Sequence, residues 1–427
     1  MRFKLKILYY LIGFKIRRWM HKDVKQLQSR HFGKLKKRLV TSTYYQPFLT
    51  KDLSEFPVID KSIFMERFDE INTHGIKIRD AYAAAINAEE TRDFSPTING
   101  VTVGLSSGTS GNRGIFMASE DERARWVACI LDRVIGFSLR KRKVAFFLRA
   151  NSNLYNSVQS SILEFHFFDL LHDLNENIKQ LGFLQPQILV AQPSMLVEIA
   201  KAIENEVLTI SPLKIISVAE VLSLEDRNLL AKIFQQTIHQ VYQCTEGFLA
   251  ASCEAGVLHF NEDFLIVEKK YLDQEKNRFH PIITDLMRHT QPIIRYELND
   301  IIIEKKNCTC GSRWMAIEQI EGRADDVLVF DSVCHSEIKI FPDFFRRAVI
   351  TSDEAIRDYR IRQTGKDHLE LFILSSDDLS YSRAEASIQN LLKNNEVHSV
   401  TIERVQQPEH SIANKLRRIK NDCGKES

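Results

Sequence analysis

Little in this 427-residue sequence breaks the chain or cross-links it: there are 16 glycines, 10 prolines and seven cysteines. The cysteines are too few and too scattered for a disulfide scaffold. Cys129, Cys244, Cys334 and Cys423 have no partner by spacing, and the odd total suits a reducing compartment, so a cytoplasmic protein is expected. Internal repeats and long low-complexity segments are missing, which argues against a solenoid or a disordered chain. Long hydrophobic runs are missing too. The apolar stretch Ile7 to Phe14 is too short to span a bilayer and no small-residue cleavage site comes after it, so neither a membrane span nor a secretory signal is expected. An excess of one charge sign is also absent. With 58 Lys and Arg against 56 Asp and Glu, the molecule is not built overall to bind a polyanion, and no nucleic-acid partner is expected.

What is present is a chain 44% hydrophobic, enough for two domains or one large and one small. Its charge is uneven: residues 1–38 carry thirteen Lys and Arg and one acid, Asp23. Two readings are open for this arm, assigned to residues 1–45 and helical by pattern from 15 to 40. It is a basic helix making peripheral contact with an anionic membrane, or a basic arm packed on the main domain. After it come a turn at Pro57 and a helix opening near Asp60. Short apolar runs at 143–150, 187–193, 213–219 and 238–244 alternate with helical stretches, which predicts an α/β domain with a largely parallel sheet. From Gly256 to Glu304 the pattern is β-rich, and the last hundred residues read as a small α+β module with a strand at His368–Ser375. The boundary is placed at Arg323–Asp325, giving domains 1–323 and 324–427 joined by a hinge.

Four of the scarce glycines fall in one connection, Gly104–Gly114, written GLSSGTSGNRG. Such a loop offers backbone N–H groups and hydroxyls to an anion, phosphate above all; it also fits a flexible surface loop. It is not the P-loop of common NTPases, because no Lys-Ser/Thr pair comes after a glycine at the required spacing. Four strings stand in order beyond the loop: SVAEVLS from Ser217, YQCTEGF from Tyr242, IIRYELND from Ile293 and IEGRADD from Ile320. The first two end strands, where an open α/β sheet gathers its ligand site.

This order resembles the adenylate-forming superfamily of acyl-CoA synthetases and adenylation domains, and within it the phenylacetate–coenzyme A ligase branch. Ser106, Ser107, Gly108, Thr109, Ser110 and Gly111 match that family's phosphate loop. Tyr242, Thr245 and Glu246 match its aromatic-x-x-Thr-Glu motif, Asp300 closes its Tyr-x-x-Gly-Asp motif, and Gly322, Arg323 and Asp325 match its Gly-Arg-x-Asp hinge. The likeness covers nearly the whole chain, from FPVIDK to the terminal Lys415 and Arg418. It implies an ATP- and Mg²⁺-dependent enzyme that activates a carboxylic acid as its acyl-adenylate and passes the acyl group to a thiol. The thiol is coenzyme A or the phosphopantetheine of an acyl carrier protein. The alternative is a relative that holds the nucleotide without chemistry.

The resemblance also implies roles. The Ser/Thr loop holds the β- and γ-phosphates, Ala219 and Glu220 line the adenine edge, Tyr242 stacks on adenine, and Asp300 accepts from the ribose hydroxyls. Glu246 ligates Mg²⁺; the plain reading of that residue is a helix-start carboxylate. Lys415, from the small domain, reaches the substrate carboxylate and α-phosphate during adenylation, although Arg417, Arg418 and Lys420 make it also one base in a run. Three positions depart from the pattern: Gln243, Asn299 and Asn414 stand where the family has glycine. Asn299 is expected to take the left-handed conformation instead, and Arg113 is the cation beside the loop. Arg149–Asp169 sits where relatives build the acid pocket, and its aromatics fit an aryl acid or an aromatic-rich core helix. Separately, Cys253, His259, Cys308 and Cys310 would make a closed Cys₃His structural Zn²⁺ site, or are reduced cysteines beside a surface histidine.

Overall fold

The computed structural model describes residues 2–20, 23–91, 93, 95–106, 113–136, 140–148, 163–170, 172–323, 326–332, 337–377, 379–397, 399–406 and 417–423. The chain forms two compact units. The first holds Met1–Leu298 and Glu304–Gln319, the second Asn299–Ile303 and Ile320–Ser427. The chain therefore crosses between them just before and again inside β13 (Asp300–Lys305), and then inside β14 (Ala316–Arg323), near the sequence-based boundary.

The first unit opens with α1 (Arg2–Met20) and α2 (Val24–Lys36). Helix begins earlier than expected and is interrupted, because Asp23, in extended conformation, accepts the backbone N–H groups of Lys25 and Gln26 and starts α2 afresh. Next come α3 (Lys61–Glu66), α4 (Phe68–Ile71) and α5 (Ile78–Thr91). Asp60 caps α3 through the Ile63 N–H at 2.9 Å. Strands β1 (Val101–Leu105) and β2 (Ile115–Ser119) pair antiparallel and carry the Ser/Gly loop between them. Gly104 lies opposite Phe116, whose ring occupies the place of a β-carbon: an added Cβ would meet Phe116 Cε1 at 2.4 Å. The helix after β2, α6 (Glu120–Ile130), starts in a capping box between Ser119 and Glu122.

The core sheet of this unit has the order β4-β3-β5-β6-β7, all parallel: β3 (Arg142–Leu148), β4 (Leu163–Asp169), β5 (Ile188–Ala191), β6 (Lys214–Ser217) and β7 (Ile238–Cys244). Helices α7 (Leu174–Leu184), α8 (Pro193–Glu204) and α9 (Leu224–Phe234) connect them. Covered on both faces, β5 is apolar and buried at every position. The expected aromatic pocket segment ends as β4. There Phe168 stacks on Phe147 at 4.5 Å and Phe165 meets Phe146 edge-on at 5.3 Å, so part of its aromatic content is core packing. Beyond β7 the sheet turns antiparallel through β8 (Gly247–Ser252) and β9 (Leu258–Phe260). A hairpin of β10 (Leu265–Tyr271) and β11 (Arg278–Asp285), with β12 (Tyr296–Glu297) on β11, completes the β-rich part.

The second unit is α+β. It contains the hairpin β15 (Leu328–Asp331)–β16 (Glu337–Ile340), helices α10 (Pro342–Ile350) and α11 (Ser380–Asn394), and a four-stranded sheet. That sheet runs β19 (Thr401–Arg404), β18 (His368–Ser375), β17 (Ile356–Gly365), β20 (Ile419–Asn421). Its core is Leu328, Phe330, Phe345, Ile361, Leu371 and Ile388 with their neighbours. The buried amide of Gln363 bonds both backbone groups of Val329, tying β17 to β15. Among the described residues no helix is long and apolar enough to cross a membrane.

Candidate active site

The parallel strands β6 and β7 are neighbours, and β7 runs on beyond the end of β6. After β6, Ala219 is held at φ +68°, a conformation that costs a non-glycine residue of order 1 kcal/mol or more. Glu220 is fixed there: its carboxylate accepts from the Ser194 N–H at 3.2 Å and hydroxyl at 3.1 Å, at the start of α8. After β7, Thr245 and Glu246 form the two-residue turn into β8, closed by the Cys244–Gly247 pair. Glu246 is therefore not a helix-start residue. Gln243, where the family has glycine, accepts from the Trp126 indole N–H at 3.2 Å.

The turn is held from outside. Arg288 donates to the Thr245 carbonyl at 2.7 Å and to Gln291 Oε1 at 2.5 Å. Gln291 in turn accepts from the Met117 N–H and donates to the Ile115 carbonyl, so one pair of side chains locks β2 to the Thr245–Glu246 turn. Buried Glu122 anchors the 289–290 backbone, accepting from the N–H groups of His289 (2.7 Å) and Thr290 (2.9 Å). Burial alone would raise its pKa. The charge of His289 and the hydrogen bonds from Thr290 and Ser119 outweigh burial and bring it down to about 2. Asp285 is the converse: burial pushes it up to about 6, against the opposing pull of Arg288.

Thr245 and Glu246 open onto a small cleft that is also lined by Lys61, Phe64, Met65, Gly114, Ile115, Gln291, Ile293 and Tyr296. The Tyr296 hydroxyl donates to Glu246 Oε1 at 3.0 Å, and burial together with this neighbouring carboxylate pushes its pKa far up. Ser106 and Gly114 close the base of the Ser/Gly loop, N–H to carbonyl at 2.7 Å and Gly114 N–H to Ser106 Oγ at 2.7 Å. Gly114, at the base of the loop, lines the cleft that holds Glu246. Arg113, expected as the loop's cation, is turned away: its guanidinium takes both carboxylate oxygens of Glu89 and the Ser106 carbonyl. Lys61 stands on the cleft side instead, its Cε 3.7 Å from where a Gly114 Cβ would lie. Sequence reasoning gave Lys61 no role; its place in the first helical turn after Asp60 was the available signal.

Tyr242 is 8% exposed and edge-on to Phe260, 6.3 Å between centroids. Asp300 opens β13, and Asn299 before it does not adopt a left-handed conformation; that conformation falls at Arg295, φ +47°. Arg323 ends β14. Ser107 to Gly111, Asp325 and Lys415 lie outside the described residues. The bases around Lys415 are paired: Arg417 with Asp326, Arg418 with Asp358 and Lys420 with Asp422.

Cys253, His259, Cys308 and Cys310 are brought together, their ligand atoms all within 4.8 Å of one another. The Cys253–Cys308 sulfur separation is 3.7 Å and that of Cys310 Sγ from His259 Nε2 is 3.3 Å. A tetrahedron of about 2.3 Å Zn–S bonds has edges of about 3.8 Å, so the donors already have metal-site spacing. His259 Nδ1 lies 3.0 Å from the Trp314 carbonyl, which orients Nε2 toward the sulfurs. The fifty-residue gap is closed by strand pairing, His259 with Ala316.

No protein-family model matches the sequence, and no curated protein sequence does. Solved structures do. A 2-hydroxyisobutyryl-CoA ligase in the postadenylation state, with 2-HIB-AMP, aligns over 92% of this chain and 89% of its own, with TM-score 0.66 at 15% identity. The same ligase with 2-HIB-AMP and CoA in the thioesterification state aligns over 94% and 91%, TM-score 0.53 at 16% identity. The amide bond synthetase McbA from Marinactinospora thermotolerans aligns over 74% and 67%, TM-score 0.54 at 11% identity. The fold is that of the adenylate-forming ligases: a large α/β domain and, after it, a small α+β domain.

Proposed function

We propose that this protein is an ATP-dependent acid–thiol ligase, which joins a carboxylic acid to AMP with release of pyrophosphate and then transfers the acyl group to a thiol. The observation that carries the reading is one cleft, on the fold of adenylate-forming ligases, that gathers Gly114 at the base of the Ser/Gly loop, Lys61 and the Thr245–Glu246 turn. The loop N–H and hydroxyl groups from Ser106 to Gly111, with Lys61, hold the β- and γ-phosphates. Glu246 suits Mg²⁺, a hard cation that needs few protein carboxylates beside phosphate oxygens and neutralises their charge when bound. Tyr296 fixes the Glu246 carboxylate in the cleft. Tyr242, Ala219 and Glu220 are assigned to adenine, Asp300 to ribose, Arg323 to the nucleotide, Asp325 to the hinge, and Lys415 to the carboxylate and α-phosphate. The acceptor is coenzyme A or a carrier phosphopantetheine. Few, scattered cysteines suit a reducing compartment, and the protein is assigned to the cytoplasm. Cys253, His259, Cys308 and Cys310 are assigned a structural Zn²⁺, with no ligand position left open for chemistry.

Acid-dependent exchange of pyrophosphate into ATP, over a panel of aryl and fatty acids, tests the reading. At least one acid is expected to support exchange, and Glu246→Gln to reduce it more than tenfold, since a lost contact worth about 1.4 kcal/mol in the transition state costs that much. Exchange by the variant within threefold of the parent sinks the Glu246 assignment. A chain that binds ATP yet exchanges with no acid is a nucleotide-binding relative.

A further inference from the structure

Helix α1 is fastened to the first unit by one face and leaves the opposite face bare. Inward, Lys6 reaches Glu120 at 2.7 Å, the Tyr10 hydroxyl donates to Asp121 at 2.5 Å, and buried Phe14 meets the Phe264 ring. Outward stand Leu5, Leu8, Tyr9, Ile12 and Ile16, exposed by 59, 51, 72, 48 and 48%. At 3.6 residues per turn these five fall within an arc of about 100°, one continuous apolar stripe. Scattered exposed apolar residues are ordinary, whereas five aligned on a helix that is already docked mark a surface that something covers.

Charge says what covers it. Exposed Lys4 and Lys15 border the stripe, and Lys25, Arg30, Lys34, Lys37 and Arg38 are exposed on and just after α2. Residues 1–38 hold thirteen basic residues and one acid, so a second copy docked on this face would set two strongly positive segments against each other. No polar residue interrupts the stripe to fix register with a folded partner, and α1 is not apolar enough to cross a bilayer. We propose that this face docks on an anionic lipid bilayer, with α1 lying in the headgroup plane, its apolar stripe inserted and the flanking bases on lipid phosphates.

Flotation of the full-length protein with vesicles of phosphatidylcholine, with and without phosphatidylglycerol, tests this. Binding is expected to the anionic vesicles and not to neutral ones, and to weaken with salt. The double variant Leu8→Asp/Ile12→Asp is expected to lower the bound fraction at least about tenfold with an unchanged helical circular dichroism spectrum. Lys4→Glu/Lys15→Glu, which leaves the stripe intact, should lower it as well. Absence of vesicle binding, equal binding to neutral vesicles, or full binding by both variants overturns the proposal. A concentration-dependent dimer that Leu8→Asp/Ile12→Asp abolishes also overturns it, in favour of self-association. None of these residues belongs to the cleft, so failure here leaves the ligase reading untouched.

Discussion

Lys61 and Arg113 show how a residue's partners decide its role. Both lie near the Ser/Gly loop in sequence or space, and composition alone favours Arg113. Its guanidinium is fully engaged by Glu89 and the Ser106 carbonyl, so Arg113 shapes the base of the loop while Lys61 faces the cleft. Lys61→Ala is expected to lower pyrophosphate exchange at least tenfold with an unchanged melting temperature; a matching loss of stability would instead make Lys61 a support of α3. Glu246 was legible because its motif is local, whereas Lys61, Arg288 and Gln291 reach the cleft only through folding. Glu122 contributes to acid sensitivity. Its pKa falls from an ordinary 4.5 unfolded to about 2 folded, so its contribution is complete above about pH 4.5 and is lost as pH drops toward 2. Thermal midpoints measured from pH 5 to pH 2 should fall more steeply for the parent than for Glu122→Gln, which should start lower; parallel curves would remove this role.

Among the elements, the parallel strands were the most legible, because strands buried on both faces are largely apolar, and β5 reads that way at every position in sequence. Strand β17 was missed. It alternates inward Tyr359, Ile361 and Gln363 with outward Arg360 and Arg362, and a strand with one polar face carries a fainter signal than an apolar run. The arm from 15 to 40 was read as unbroken because the N-cap at Asp23 sits inside a basic stretch that otherwise favours helix. The Cys/His cluster was legible as a candidate site but its geometry was not, since only the pairing of β9 with β14 brings residues fifty apart into reach. The protein is expected to carry about one tightly bound Zn²⁺ per chain by elemental analysis, and Cys308→Ser to lose the metal and melt lower. Metal-free protein whose melting is unchanged by chelation would leave these four residues without a metal role.

At the scale of the molecule, the sequence pattern already shows a large α/β part and then a small α+β part. The finer boundary was hidden, because Asn299–Ile303 falls in the second unit while the residues on either side of it in the chain fall in the first. The assignment of Lys415 is also a statement about the whole molecule, since a residue of the small domain has to act on a reaction held by the large one. Lys415→Ala is expected to cripple acid-dependent pyrophosphate exchange and to affect much less the formation of thioester from pre-made acyl-adenylate. The reason is that carboxylate attack on the α-phosphate brings like charges together, whereas thiol attack on the finished adenylate does not. The comparison needs a neutral control, and the neighbouring bases are unsuitable because Arg417, Arg418 and Lys420 each hold an aspartate. Lys393, exposed in the last turn of α11, serves instead. A solvated basic tail would make Lys415→Ala and Lys393→Ala equivalent in both steps, because exposed charges contribute little and without geometry. Equal behaviour of the two variants, or equal loss of both half-reactions in Lys415→Ala, would strip the lysine of its role in adenylation.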